Sequence, residues 1–180
     1  FPSLVTIEAW EPAVLRALSI AEMCLGDLRH DEGGQGPQIS RRHYLECVRR
    51  VRMMVARTRR LDQAKLSLCM CLDRLGDCEQ SLGLEKLARA CYEEQVRVAE
   101  GLADADAVRR RALEAWGQAL QRLGRLELAC ARREKGREAR AGYGEAFSRL
   151  GQSKDIARRI ERGFGVDDDS SRFLSECLTS

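Results

Sequence analysis

The sequence predicts an all-α protein, an α-solenoid of about four antiparallel helix pairs. Alanine, leucine, arginine and glutamate dominate, valine, isoleucine and threonine are sparse, and only three prolines occur in 180 residues. That mixture favours helix over sheet almost everywhere. Apolar residues also recur at three- and four-residue spacing along most of the chain. A third observation, small residues returning at fixed places in successive helix pairs, makes the class a solenoid.

Residues 1–10, FPSLVTIEAW, read as a lead-in, and a start at Phe1 without methionine reads as a piece of a longer protein. Pro12 suits a first helical turn. From Glu11 to about Arg29, Val14, Leu15, Leu18, Ala21, Met23 and Leu25 keep helical spacing. HDEGGQGPQ, residues 30–38, is the clearest loop. Ser40 is the expected cap of a helix reaching about Arg59, with Tyr44, Val48, Val51 and Val55 as its apolar stripe. A further helix runs from Leu61 to Leu82 and stops at Gly83. The next spans Leu84 to about Leu102, and another, capped by Asp104 or Asp106, ends at Leu123 with Gly124 as its stop. Segments Arg125–Arg140, Ala141–Leu150 and Ser153–Gly163 complete the helical set, with Gly151 as a further stop. The repeat domain is therefore placed at 11–162. Residues 163–180 form an acidic, serine-rich tail that ends on Phe173, Leu174, Cys177 and Leu178.

Sliding the chain by 41 residues lays 72–94 over 113–135. Leu72 then meets Leu113, Gly76 meets Gly117, Gly83 meets Gly124 and Ala88 meets Ala129. A shift of 27 brings Trp116-Gly117 onto Tyr143-Gly144, and Leu25-Gly26 begins a weaker upstream copy. A glycine inside a helix costs about 1 kcal/mol against alanine. Gly76 therefore predicts a close approach to the paired helix, against Ala88. The pattern of a large apolar residue before Gly76 or Gly117, then Gly83 or Gly124, then Ala88 or Ala129, with Tyr92 as an aromatic, resembles the tetratricopeptide repeat. The spacing is similar to the long-helix variety of kinesin light chains and Pins-like adaptors.

That resemblance implies a superhelix whose inner wall is built from the first helix of each pair. Carried over residue by residue, the wall takes Met70, Asp73, Asp77 and Gln80 from one pair. Arg111, Glu114, Gln118, Gln121 and Arg122 come from the next, and Glu145 and Arg149 from the last. It implies a non-enzymatic scaffold that binds an extended peptide or a helix of a partner. Acidic residues at Asp73, Asp77 and Glu114 disfavour the groove type that clamps a C-terminal carboxylate. A structural subunit packing through its outer face and tail is the alternative, and an RNA-binding helical repeat the second.

Other chemistry is poorly supplied. The two histidines, His30 and His43, have no recognisable nucleophile motif beside them, and the glycine-rich loop lacks the lysine of a phosphate cradle. No catalytic residue, cofactor or metal is therefore expected. Eight cysteines without a C-x-x-C pair read as buried small apolar residues in a reducing, cytoplasmic setting, without disulfides. A net charge of +3 and few aromatics disfavour nucleic acid, although residues 41–60 carry eight arginines. No apolar run is long enough to span a membrane.

Overall fold

A computed structural model describes residues 12–30, 35–58 and 61–165. The expected lead-in and nearly all of the tail lie outside them. The described residues form six helices: α1 (Pro12–His30), α2 (Gly36–Arg57), α3 (Leu61–Ser81), α4 (Glu85–Glu100), α5 (Arg109–Ala131) and α6 (Gly136–Phe164). Every regular element among them is a helix, so the all-α class holds. Consecutive helices pair as hairpins, α1 with α2, α3 with α4 and α5 with α6. Each hairpin then packs on the next, α2 against α3 and α4 against α5, and α3 also touches α5. This is the layered neighbour-to-neighbour order of a helical solenoid.

Local chemistry explains most boundaries. α1 is described from Pro12, a residue whose fixed φ suits a first helical turn. α3 stops at Gly83, whose φ is +73°. The Gly83 amide donates to the Gln80 carbonyl at 3.0 Å and the Leu84 amide to that of Glu79 at 2.8 Å. These two bonds form a Schellman motif. Ser40 is not a cap. α2 begins four residues earlier, at Gly36 with a proline in its first turn, and buried Ser40 donates to the carbonyls of Gly26 and Gly36. Neither Asp104 nor Asp106 caps α5, which begins at Arg109 after a run of tight turns over 101–108.

The largest departure is at the C-terminal end. Gly124 and Gly151 are not stops; both lie inside continuous helices. The expected fragments merge into one long hairpin, α5–α6, so the described residues hold three pairs rather than about four. The chain turns at 132–135 and restarts at Gly136, φ +69°.

Gly124 is in the helix because α6 lies too close for a side chain. A Cβ there would fall 2.8 Å from Leu150 Cγ and 3.1 Å from the Ala146 carbonyl oxygen. The same device occurs in each hairpin. A Cβ on Gly26 would sit 2.9 Å from Cδ1 and Cζ of Tyr44, and one on Gly76 would be 2.9 Å from the same atoms of Tyr92. The ring over Gly76 is thus Tyr92, with Ala88 buried one turn away. Each tyrosine hydroxyl donates to the aspartate that follows its glycine, Tyr44 to Asp27 and Tyr92 to Asp77, both at 2.7 Å. Where leucine replaces tyrosine, at Leu150, Arg125 replaces the aspartate.

These equivalences correct the repeat interval. Fifty residues separate Gly26 from Gly76 and 48 separate Gly76 from Gly124. Gly117, the partner of Gly76 at a shift of 41, plays a different part, since its carbonyl accepts the Ser153 hydroxyl at 2.8 Å. Shifts of 41 and 48 differ by one heptad, and seven residues return to nearly the same helix face. Both shifts therefore match apolar to apolar, and only packing tells them apart.

Two glycine substitutions should move stability in opposite directions. Gly76→Ala is expected to destabilise by about 1–3 kcal/mol through overpacking on Tyr92, despite alanine's better helix propensity. Gly144→Ala, with nothing within 4 Å of its Cβ, is expected to stabilise by about 0.5–1 kcal/mol. Urea denaturation midpoints check both.

Candidate functional site

Two buried glutamates join the hairpins. Glu79 on α3 and Glu127 on α5 are each 2% exposed. Glu79 accepts Arg41 Nε of α2 through both oxygens, at 2.9 and 3.0 Å. Glu127 Oε1 accepts Arg89 of α4 at 2.9 Å and Arg149 of α6 at 2.8 Å. Arg41 and Arg89 stand 48 residues apart, as do the two glutamates, so the clamp repeats with the hairpin. A buried carboxylate needs such partners, because its desolvation is otherwise uncompensated. Removing both Arg89 and Arg149 by alanine should cost about 3–5 kcal/mol, whereas breaking the exposed Arg52–Glu94 pair should cost under about 1 kcal/mol. Thermal and urea unfolding of the two sets distinguish them.

The expected inner wall is partly assembled. Arg122 of α5 reaches across to α3, with Nε 2.8 Å from Asp73 and Nη1 2.6 Å from Asp77. Asp77 also accepts the Tyr92 hydroxyl, which lies 3.2 Å from Gln80 Oε1. Burial pushes the Asp77 carboxyl above its usual range, against the pull of Arg122. Four expected contact residues, Asp73, Asp77, Gln80 and Arg122, are thus bonded within the chain. Gln121 is buried with its Nε2 unpartnered, Gln118 is half-buried, and Glu114 lies 3.2 Å from Arg110. Glu145 and Arg149 do not join this wall. They belong to α6, the second helix of its hairpin, because the fourth pair expected there does not form; Arg149 serves the Glu127 clamp instead.

Met70 and Arg111 do come together. They line a cavity of about 240 Å³ with Arg16, Ser19, Ile20 and Met23 of α1, Gln63 and Ser67 of α3, and Cys47, Val51, Met54 and Cys71. Met70 and Ile20 are about half exposed and form apolar lips. Two arginines and an apolar, sulfur-rich lining suit a large apolar side chain beside a carboxylate. The contribution of α1 has no signal in the sequence, because Arg16 and Ile20 lie more than forty residues from the α3 residues that they meet.

At the back of this cavity Cys47 Sγ and Cys71 Sγ lie 2.8 Å apart, and Cys47 Sγ is 3.2 Å from the Ser19 carbonyl oxygen. The seven described cysteines are free thiols. Burial pushes Cys69 up to about 12 and Cys78 and Cys91 up to about 11. The thiolate is the reactive form. Cys69 should therefore react with maleimide at pH 8 roughly a thousandfold more slowly than an unperturbed thiol. Site-resolved mass spectrometry, with an unstructured cysteine peptide as reference, checks the ratio.

A larger groove, about 630 Å³, runs between α2 and α4 on the other side of the hairpins. Leu45, Val48 and Met53 of α2, Leu72 and Leu75 of α3, and Leu87 and Cys91 of α4 supply its apolar surface. Arg49, Arg52 and Glu94 edge it, and Leu45 and Leu87 are exposed. Of the basic run 41–60, Arg41, Arg49 and Arg52 line this groove, and four of its arginines are matched by carboxylates. Arg41, Arg49, Arg50 and Arg52 pair with Glu79, Glu46, Glu22 and Glu94.

Among the described residues, no three His, Cys, Asp or Glu side chains are grouped to hold a metal ion, and no helix is long and apolar enough to cross a membrane. No protein-family model, no curated protein and no solved structure matches this chain.

Proposed function

We propose that the chain is a tetratricopeptide-like interaction scaffold, non-enzymatic and intracellular, which binds an extended segment of a partner protein along the wall of α1, α3 and α5. The observation that carries this reading is the cavity where Met70 and Arg111 meet Arg16, Ile20 and Met23. It takes residues from all three first helices, so a segment lying across the hairpins passes over it. An apolar anchor fills the sulfur-lined pocket, and a neighbouring carboxylate pairs with the two arginines. Arg122, held by Asp73 and Asp77, positions α3 against α5 and is a poor probe of binding. Its reversal would set three carboxylates together.

The test pans a displayed random-peptide library on the whole protein. Selected peptides are expected to carry an acid beside a large apolar residue. Arg16→Glu with Arg111→Glu should weaken them at least about tenfold while circular dichroism keeps the helix content. Equal capture by both proteins would overturn the reading. The groove between α2 and α4 favours a second reading, a structural subunit that packs through its outer side. In that case Leu45→Glu with Leu87→Glu removes the protein from its native assembly and leaves peptide capture unchanged.

A further inference from the structure

α1 presents an apolar face that its counterparts bury. In the register fixed by Gly26, Gly76 and Gly124, Val14 corresponds to Ala64 and Ala112, and Ala21 to Cys71 and Ala119. Leu25 corresponds to Leu75 and Leu123, and Leu28 to Cys78 and Leu126. All eight residues on α3 and α5 are at most 5% exposed. On α1, Val14 is 47%, Leu25 44% and Leu28 71% exposed, and Ala17 and Ala21 lie open beside them. In α3 this face is covered by α2, through the Cys47–Cys71 contact and the Cys78 thiol on the Pro37 carbonyl. In α5 it is covered by α4. Among the described residues nothing covers it on α1. The far end of the solenoid is different: α6 turns outward Glu145, Ser148, Gln152, Asp155 and Arg158, and its exposed large apolar residues are Phe147 and, at its last position, Phe164. A polar outer face suits a terminal layer, and an apolar one calls for a further layer.

The segment before Pro12 has the pattern to supply that layer. Fifty residues on from Phe1, Leu4 and Val5 stand Val51, Met54 and Val55, the end of α2 that packs on α3. Ninety-eight residues on stand Ala99, Leu102 and Ala103, all at most 4% exposed. These are the two intervals that relate α1 to α3 and to α5. Glu8, Ala9 and Trp10 then fall at 58–60, where the chain connects α2 to α3. As helix, the seven residues before this connection span about 10 Å, enough to reach from Val14 past Ala17 and Leu18 to Ala21, the half of the face next to Pro12.

We propose that residues 1–10 dock on this half of α1 in the place that α2 takes on α3 and α4 on α5, giving the solenoid a further layer. The occupant is the chain's own segment because it is tethered beside the face and carries the apolar pattern of both other covering segments in register. Docking would bring Trp10 to the connection, beside the start of α1.

Hydrogen exchange on the full chain tests this without mutation. Amides of residues 3–10 should exchange at least about tenfold more slowly than an unstructured peptide of the same sequence. Leu4→Glu with Val5→Glu should then speed exchange over 13–21 about tenfold and leave α3 to α6 unchanged. Random-coil exchange of 3–10 in the wild-type protein would overturn the proposal, as would unaltered exchange over 13–21 in a folded variant. If the variant does not fold, Trp116→Phe leaves Trp10 as the sole tryptophan. Its emission should be blue-shifted and shielded from acrylamide, and a fully quenched Trp10 counts against docking. Protection of α1 that grows with protein concentration, together with a dimer mass by light scattering, would overturn it and assign the face to a second copy.

Discussion

The close approach of the two helices in each hairpin is the constraint on which the rest of the molecule depends. Three glycines, Gly26, Gly76 and Gly124, sit in helix interiors at a propensity cost of about 1 kcal/mol each, and each lies under a large side chain of the partner helix. That contact fixes how near and at what height the helices cross. Tyr44 and Tyr92 add direction, since their hydroxyls reach Asp27 and Asp77 across the crossing point. Changing the crossing would break both an apolar and a polar contact. The crossing within each hairpin is therefore set by contacts between its own two helices.

Stacking of these units is set by a different chemistry. A buried glutamate on the first helix of one hairpin takes an arginine from the second helix of the preceding one, Arg41 to Glu79 and Arg89 to Glu127. Such pairs contribute little net stability, because desolvation offsets most of the attraction. Their effect is on register. Sliding one hairpin by a turn leaves a carboxylate buried without a partner, a state several kcal/mol higher. The apolar clusters between hairpins supply the bulk of the burial and tolerate a slide better. Glycine sets the hairpin, glutamate sets the stack, and leucine and cysteine fill what lies between.

This division of labour shapes the surfaces open to partners. Charges on the α3–α5 wall are largely spent within the chain, so the wall recognises through the pocket at Met70 and Arg111 rather than through a row of free charges. On the opposite side Arg41, Arg49 and Arg52 of α2 are matched by glutamates, and what stays open is the apolar groove towards α4. The long α6 closes one end with a polar face, while α1 keeps the apolar character of an interior layer.

Helix was written in the sequence almost throughout, because composition and three-to-four spacing act within a few residues of each position. The stop at Gly83 is of that local kind. So is the exception at Gly76, whose helix interior position by itself demanded a near neighbour. Which neighbour, and which glycine repeats its role, were decided in three dimensions. Gly124 has the local appearance of Gly83 and the packing of Gly76, and only α6 lying over it selects between them. The same limit explains why Asp73, Asp77 and Arg122 read as a contact surface and proved to be bonded to one another. It also explains why Arg16 and Ile20 went unseen beside Met70 and Arg111. Residue type and spacing determine the helices and the face each one buries, since those follow from a period of 3.6. The register between helices, and with it the pocket, came only from the tertiary structure, because a shift of seven residues leaves that period almost unchanged.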